Sequence, residues 1–120
     1  MRASPYERRT PVSDEHAGDI RVTEHPDRGR FEVTVDGRPA GFAAYERHRG
    51  RVDLTHTEVD SAYQGRGVAG RLAAGALDRL RAEGAQVTPS CPYIAEYIRR
   101  HQEYLDLVDE DHRDEVTAAS

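Results

Sequence analysis

The sequence predicts a mixed α/β fold of the α+β type, in which antiparallel strands are followed by a parallel strand–helix–strand crossover. Two observations predict it. Apolar and polar residues alternate with period two in short segments between Ile20 and Val59, and short turns separate these segments. From Val68 onward the apolar period changes to that of a helix. A chain of 120 residues supplies one hydrophobic core, so we expect a single domain.

The strands are expected to follow one another as an antiparallel meander. An extended pattern begins at Ile20, and the next strands are predicted at 30–35, 41–46 and 51–59. Asp36-Gly37 is a strong turn sequence between two of them. In the last strand, strict alternation would place the side chains of Val52, Leu54, His56 and Glu58 on one face.

The crossover consists of one long helix and one short strand. Val68, Leu72, Ala76 and Leu80 recur at every fourth position, and Gly84 is a typical residue to end the helix. A short strand is expected at 86–88, parallel to the strand that precedes the helix. Pro92 then suits the first position of a second helix.

Charge divides the chain into a neutral body and an acidic end. Residues 106–120 contain six acidic residues and one arginine, whereas residues 1–105 hold 16 acidic and 16 basic residues. A neutral body gives no support for nucleic-acid binding. We expect a domain at 20–108, with flexible, solvated termini at 1–19 and 109–120.

Several other classes of protein are disfavoured by composition. No stretch approaches the roughly 20 apolar residues of a membrane helix, and the first ten residues lack the apolar part of a signal peptide. Cys91 is the one cysteine, so neither an internal disulfide nor a cysteine-rich zinc site is expected. The six histidines show no i, i+4 pairing, and we predict no metal. The expected compartment is the cytoplasm.

A glycine-rich loop opens the long helix. Gly65, Gly67 and Gly70 spell G-x-G-x-x-G, but a dinucleotide fold needs this loop after its first strand and an acidic residue after its second. Neither condition is met, and no Gly-Lys-Ser/Thr is present for a P-loop. Backbone amides at such a helix start suit a pyrophosphate, with Arg66 and Arg71 nearby. The alternative is that the glycines only form a tight turn.

The loop also resembles a known family motif. Gln64-x-x-Gly67-x-Ala69 is similar to the Q/R-x-x-G-x-G/A motif of the GNAT superfamily of acetyltransferases. The sequence His56-Thr57-Glu58-Val59 and the segment beginning Cys91-Pro92-Tyr93 resemble, more narrowly, the small single-domain YjdJ-type GNAT proteins. The resemblance extends from Ile20 to Val108. It implies a GNAT-like fold with a splayed cleft for acetyl-coenzyme A.

The resemblance also implies which residues bind this co-substrate. The pantetheine arm would lie along Thr57, Glu58 and Val59, and a backbone N–H near Val59 would stabilise the oxyanion. The pyrophosphate would be bound by the loop and the first helical turn, which comprise Gln64, Gly65, Arg66, Gly67, Val68, Ala69, Gly70 and Arg71.

Candidate catalytic residues follow from the chemistry of acetyl transfer. In the superfamily a tyrosine of the second helix protonates the thiolate; Tyr97 matches best and Tyr93 is second. His56 or Glu58 would take the proton of the amine, directly or through water. Cys91, near a helix N-terminus, is a candidate nucleophile for a covalent acyl-enzyme.

Each candidate also has a structural interpretation. Tyr97 would suit the apolar stripe of its helix, and His56 would suit a satisfied position in the core. Glu58 would be a charge at the rim, and Cys91 a small buried residue beside the pantetheine. These alternatives stay open on the sequence.

The predicted function is acetyl-coenzyme A-dependent N-acetylation of an amine on a small molecule or protein. A coenzyme A-binding or sensing module without turnover is the alternative. The connection at 25–29 is very short, which predicts an open acceptor site. We expect a monomer or weak homodimer that has no nucleic-acid or membrane partner.

Overall fold

The computed structural model describes residues 19–118, in which five strands form one sheet, and strands that follow one another along the chain are neighbours in the sheet. The first three strand pairs are antiparallel, whereas the fourth and fifth strands are parallel. The predicted α/β fold class is therefore confirmed. The strands are β1 Ile20–His25, β2 Arg30–Val35, β3 Arg38–His48, β4 Arg51–Val59 and β5 Gln86–Thr88. The helices are α1 Val68–Glu83, α2 Pro92–Arg100 and α3 Glu110–Ala118, and 3-10 helices span Pro26–Arg28, Ser61–Tyr63 and Gln102–Leu107.

Helix α1 connects the two parallel strands and covers one face of the sheet. Its apolar stripe is fully buried, and Gly84 ends the helix by donating its N–H to the carbonyl of Leu80. On the sheet, Phe31, Val33 and Leu54 belong to the same buried cluster. We call this the helix face of the sheet and the opposite side the outer face.

A β-bulge interrupts the pairing of β3 with β4. Ala44 lies opposite His56, but the next residue of β3, Tyr45, lies opposite Leu54. Thr55 is therefore an extra residue on β4. A bulge changes which face each following side chain occupies.

The bulge corrects one expectation from the alternating pattern. Leu54 is buried on the helix face, whereas His56 and Glu58 are exposed on the outer face. Thr57 and Val59 occupy the helix face in their place, and both are partly buried. The prediction that Leu54, His56 and Glu58 share a face is wrong, because strict alternation assumes an uninterrupted ladder.

Strands β4 and β5 pair over only three residues each. The ladder ends where Asp53 lies opposite Thr88, and the backbone N–H of Cys91 donates to the carbonyl of Leu54 just beyond it. Within residues 19–118, no strand pairs with the rest of β4 on this side. Beyond this point β4 and the segment that follows β5 diverge, which leaves a gap beside Thr57 and Val59.

The acidic C-terminal segment packs on the domain as far as the structure describes it. Val108 forms a parallel bridge with Val87, and Asp109 is 7% exposed. Val116 of α3 is 2% exposed and belongs to the core cluster. The expectation of a solvated tail is therefore wrong for 109–118. Val116 and Ala118 are the two apolar residues of this acidic segment, and two such residues give no readable periodicity. The expectation of a flexible N-terminus at 1–19 concerns residues that, except for Asp19, lie outside the described part of the chain.

Two hydrogen bonds anchor the side chain of Asp109. Thr88 donates its hydroxyl to Oδ1 at 2.7 Å, and His112 donates Nδ1–H to Oδ2 at 2.6 Å. Burial by itself would raise the pKa of Asp109, but the two donors outweigh burial and hold the pKa below its usual value. The carboxylate is therefore a charged anchor between β5 and the start of α3.

Candidate active site

The connection from β4 to α1 folds as a capped turn followed by a glycine loop. Asp60 caps the 3-10 helix Ser61–Tyr63 by accepting the N–H of Ala62 at 2.9 Å. Gly65 and Gly67 then adopt φ angles of 79° and 78°, in the left-handed region that favours glycine. A Cβ atom at either position would meet nothing within 4 Å. The backbone conformation requires glycine there, while the space beside the loop is open.

The first turn of α1 presents its backbone amides without a side-chain cap. Gly67 is the N-cap residue, and it has no side chain to accept the N–H groups of the next residues. The carbonyl of Gly67 accepts the N–H of Arg71 at 3.1 Å, which begins the helical ladder. Uncapped amides and the helix dipole together favour an anion at this end of α1.

A cavity of about 360 Å³ lies between this helix end and residues 57–59 of β4. These residues pair with β3 but have no partner on the β5 side within the described part of the chain, and we call them the unpaired part of β4. Its wall is made of Thr57, Val59, Tyr63, Gln64, Gly65, Gly67, Val68, Ala69, Gly70 and Tyr93. The side-chain amide of Gln64 donates to the carbonyl of Val59 at 3.2 Å, which ties the loop to the strand. We call this space the inner cavity.

The structure brings most of the predicted co-substrate residues to the inner cavity. Eight of its lining residues, all except Tyr63 and Tyr93, are among those expected from the sequence. Arg66 and Arg71 adjoin the loop but do not line the cavity, and the Arg66 guanidinium carbon lies 5.6 Å from the centre of the Tyr63 ring. The sequence did not predict Tyr63 as a lining residue. Its position directly before Gln64, as an aromatic residue beside the motif, is the signal that could have suggested this role.

The two candidate bases lie on the outer face. His56 Nε2 and Glu58 Oε2 are 3.2 Å apart, and both side chains are more than half exposed. Glu58 therefore lines a second cavity, on the outer face, and not the inner cavity. This differs from its expected place beside the pantetheine. Val59 contributes to the wall of both cavities, so only the thickness of the strand separates Glu58 from the inner cavity.

The two candidate tyrosines occupy different environments. Tyr93 lines the inner cavity and is 40% exposed. Burial raises the pKa of the Tyr93 hydroxyl, and its neighbours Tyr97 and Cys91 raise it further. The Tyr97 ring instead stacks on His101, with centroids 4.0 Å apart, and its edge lies near Gly70. The structure thus places the second sequence candidate, Tyr93, on the cavity wall and Tyr97 behind it.

Cys91 lies directly behind the cavity wall. It is the N-cap residue of α2 and is 4% exposed. Its Sγ donates to Thr57 Oγ1 across 3.4 Å, and Thr57 lines the cavity. The thiol of Cys91 therefore contacts the cavity only indirectly, through its hydrogen bond to Thr57.

Comparison with known proteins decides which family has this arrangement. The family described as GCN5-related N-acetyl-transferase matches residues 30–107. The chain belongs to this family. The matched residues run from β2 to the 3-10 helix after α2, and they include the glycine loop and both tyrosines. The resemblance to GNAT acetyltransferases is therefore confirmed.

Curated proteins similar to this chain are named Protein NATD1. The protein from Mus musculus is 38% identical over 100 residues, which cover 80% of this chain and 91% of the mouse protein. The Homo sapiens protein is 38% identical over 91 residues, covering 72% of this chain and 80% of its own length. The Danio rerio protein is 31% identical over 93 residues, with coverages of 74% and 84%.

Membrane-spanning helices and metal-binding clusters are both absent from the described part of this GCN5-related chain. No helix within residues 19–118 has the length and apolar character that crossing a bilayer needs. In the same residues, no three histidine, cysteine, aspartate or glutamate side chains group in a way that could hold a metal ion.

Proposed function

We propose that this GCN5-related protein is an acetyl-coenzyme A-dependent N-acetyltransferase acting on an amine. The observation that carries the proposal is the inner cavity, which joins the uncapped N-terminus of α1 to the unpaired part of β4. One end of this space suits an anion, and the other offers a free strand edge to an extended, amide-containing chain. The proposed setting is the cytoplasm, with the protein acting as a monomer or weak homodimer.

The residues present suit acetyl-coenzyme A as the second substrate. The amides of the first turn, from Gly67 to Gly70, would bind the pyrophosphate, and Arg66 and Arg71 would add positive charge nearby. The pantetheine arm would follow the main chain from Thr57 to Val59, where β5 has already diverged. Bound in this way, the co-substrate supplies a thioester carbonyl to an incoming amine.

The proton transfers are assigned to residues on the two sides of β4. Glu58, with His56 as its partner, would take the proton of the amine from the outer face. A backbone N–H near Val59 would stabilise the developing oxyanion. Tyr93 is the proposed donor to the departing thiolate, because it lines the inner cavity and its raised pKa keeps the hydroxyl protonated.

Direct transfer is proposed over a covalent acyl-enzyme. Cys91 is buried behind Thr57, and its thiol is used as a hydrogen-bond donor to the Thr57 hydroxyl. A nucleophilic cysteine needs an exposed thiolate beside a base. No hydrogen bond from a histidine to Cys91 is formed within residues 19–118.

The test measures binding and turnover on the same protein. Calorimetry with acetyl-coenzyme A should show one site per chain, and mass spectrometry should detect an acetylated product from a panel of amines. Binding without any product would favour the alternative, a coenzyme A-binding or sensing module. Absence of binding would contradict both functions.

A further inference from the structure

A second cavity, of about 350 Å³, opens on the outer face of the sheet, and we call it the outer cavity. It shares Val59 with the inner cavity, so the two spaces meet at the unpaired part of β4. Its charged lining residues are Arg28, Arg30, Glu32, Glu58 and Asp60. The outer cavity therefore contains three negative and two positive side chains. The proposed binding of acetyl-coenzyme A in the inner cavity does not require these charges.

The floor of the outer cavity is a row of three side chains across three strands. Phe42 on β3 lies directly opposite Glu32 on β2 and Glu58 on β4. The guanidinium carbon of Arg30 lies over the Phe42 ring, 4.6 Å from its centre. Phe42 therefore separates an arginine side, with Arg28 just before β2 and Arg30 on β2, from a carboxylate side, with Glu58 on β4 and Asp60 just after it.

The carboxylate side adjoins Val59. Glu58 uses Oε2 for His56, and Asp60 uses Oδ1 to accept the N–H of Ala62. The second oxygen of each carboxylate makes no hydrogen bond within residues 19–118. Two carboxylate oxygens are thus open to an ammonium group at the edge nearest the inner cavity.

The arginine side keeps donors that Glu32 does not use. Arg28 donates through Nη1 and Arg30 through Nε, both to Oε2 of Glu32, at 3.0 Å and 2.7 Å. The remaining guanidinium nitrogens make no hydrogen bond to the described part of the chain. A guanidinium fork with open donors matches a carboxylate in geometry and charge.

We propose that the outer cavity binds the acceptor as a small zwitterion, an amine that also carries a carboxylate. The ammonium group would lie near Glu58 and Asp60, beside Val59, and the carboxylate would lie near Arg28 and Arg30. A cavity of this size holds an amino-acid-sized molecule, not a folded protein segment. The inference rests on the proposed function, because it names the acceptor class for the same reaction.

The first test measures binding and does not depend on turnover. The isotope-labelled protein, saturated with coenzyme A, is titrated with ω-amino acids from glycine to aminohexanoate and observed by NMR. Propylamine and propionate are the matched controls for β-alanine, since each lacks one of its two charges. At least one amino acid should shift the amides of Phe42 and Glu58 at a concentration about tenfold below that of its controls. Equal binding of propylamine, or absence of binding by every amino acid, would overturn the inference.

The second test uses variants on the arginine side. Arg30→Gln and Arg28→Gln should each raise the KM for the preferred amino acid about three- to tenfold, with the KM for propylamine unchanged. Arg21→Gln is the control, because Arg21 is an exposed arginine that pairs with Asp19 and lies outside the cavity. A similar rise for both substrates, or faster acetylation of a lysine peptide than of every amino acid, would show that the zwitterion is not the acceptor. Amino-acid binding without acetylation would contradict the proposed function and leave the binding inference standing.

Discussion

The thiol of Cys91 donates a hydrogen bond to the hydroxyl of Thr57, with Sγ and Oγ1 3.4 Å apart. This contact joins the N-cap of α2 to β4 beyond the last pair of the β4–β5 ladder. The hydrogen bond therefore spans the narrow end of the gap between β4 and the segment that follows β5. The inner cavity opens from that point, so Cys91 is in a position to orient Thr57 at the cavity wall.

A positioning role for Cys91 predicts a moderate effect of its removal. Cys91→Ala should lower kcat by about tenfold or less, because in the proposed direct transfer the amine attacks the thioester without a covalent intermediate and only the contact with Thr57 is lost. Cys91→Ser keeps a donor at this position and should retain more activity than Cys91→Ala. Steady-state kinetics with rapid-quench mass spectrometry provide the measurement. Complete loss of turnover in Cys91→Ala, with acetyl-Cys91 in the wild-type quench, would require a covalent mechanism instead.

Tyr93 and Tyr97 form a matched pair for the proton donor. Tyr93→Phe should lower kcat about 10²-fold with little change in acetyl-coenzyme A affinity, because it removes the hydroxyl of the proposed proton donor and keeps the ring. Tyr97→Phe should leave kcat within about threefold, since its ring stacks on His101 away from the cavity wall. The kinetics of the two variants at saturating co-substrate decide between them; the reverse order would restore Tyr97 as the donor.

Binding of acetyl-coenzyme A should require that position 67 carries no charged side chain, in addition to requiring the left-handed backbone conformation of Gly67. Gly67→Asp places a negative charge where the pyrophosphate would lie, and we expect the Kd to rise at least about 100-fold. Gly37→Asp is the control, because Gly37 has a φ of 81° with open space around it and lies outside the inner cavity. Both variants carry about 1 kcal/mol of left-handed strain. Calorimetry on folded samples that showed equal affinity for both would refute the loop assignment.

Helix α3 should contribute to stability despite its acidic composition. Val116→Ala removes two buried methyl groups and should lower the free energy of unfolding by about 1.5 kcal/mol. Truncation after Val108 also removes the Asp109 anchor and should lower Tm by at least about 8 °C. Urea unfolding and a thermal melt provide the two measurements. An unchanged Tm in the truncated protein would mean that α3 does not dock in solution.

Stability should fall in acid partly through Glu24 of the edge strand β1. Burial by itself would raise the pKa of Glu24, but hydrogen bonds from Tyr45 and Arg47 outweigh it and hold the pKa below the usual 4.5. A lowered folded-state pKa stabilises the protein above pH 4.5, and this contribution is lost as pH falls through the lowered value.

The change Glu24→Gln isolates this contribution. The variant should be less stable than the wild type at pH 7, and the difference in unfolding free energy should shrink below about pH 4. Glu46→Gln is the control, since the side chain of Glu46 is 69% exposed. Urea unfolding across pH 3 to 7 supplies the measurement. A difference that stays constant with pH would assign the effect to packing and not to charge.

Local patterns predicted the elements that position the site. The four-residue repeat from Val68 to Leu80, with Gly84 after it, specified α1, and Pro92 marked the start of α2. The glycine motif predicted six of the inner cavity's residues, because a loop's backbone conformation depends on the residues within it, and the family resemblance added Thr57 and Val59. These features arise from interactions between near neighbours in sequence.

Other features depended on contacts between distant segments. The bulge at Thr55 arises from the pairing of β3 with β4, and it alone sends His56 and Glu58 to the outer face. No residue type in β4 marks the bulge, so alternation predicted the wrong face. Which of Tyr93 and Tyr97 lines the inner cavity likewise depends on how α2 is rotated against α1, and a four-residue spacing on one helix does not decide it.

The sequence by itself determined the order of the elements, the charge balance of residues 1–105 and the helix start suited to an anion. These follow from periodicity, composition and glycine content, which are local properties. Tertiary structure alone decided the gap beside β4, the docking of α3 through Val116 and the pairing of two cavities across Val59. Each of these joins residues far apart in sequence, and the packing free energy that selects them exists only once the sheet has formed.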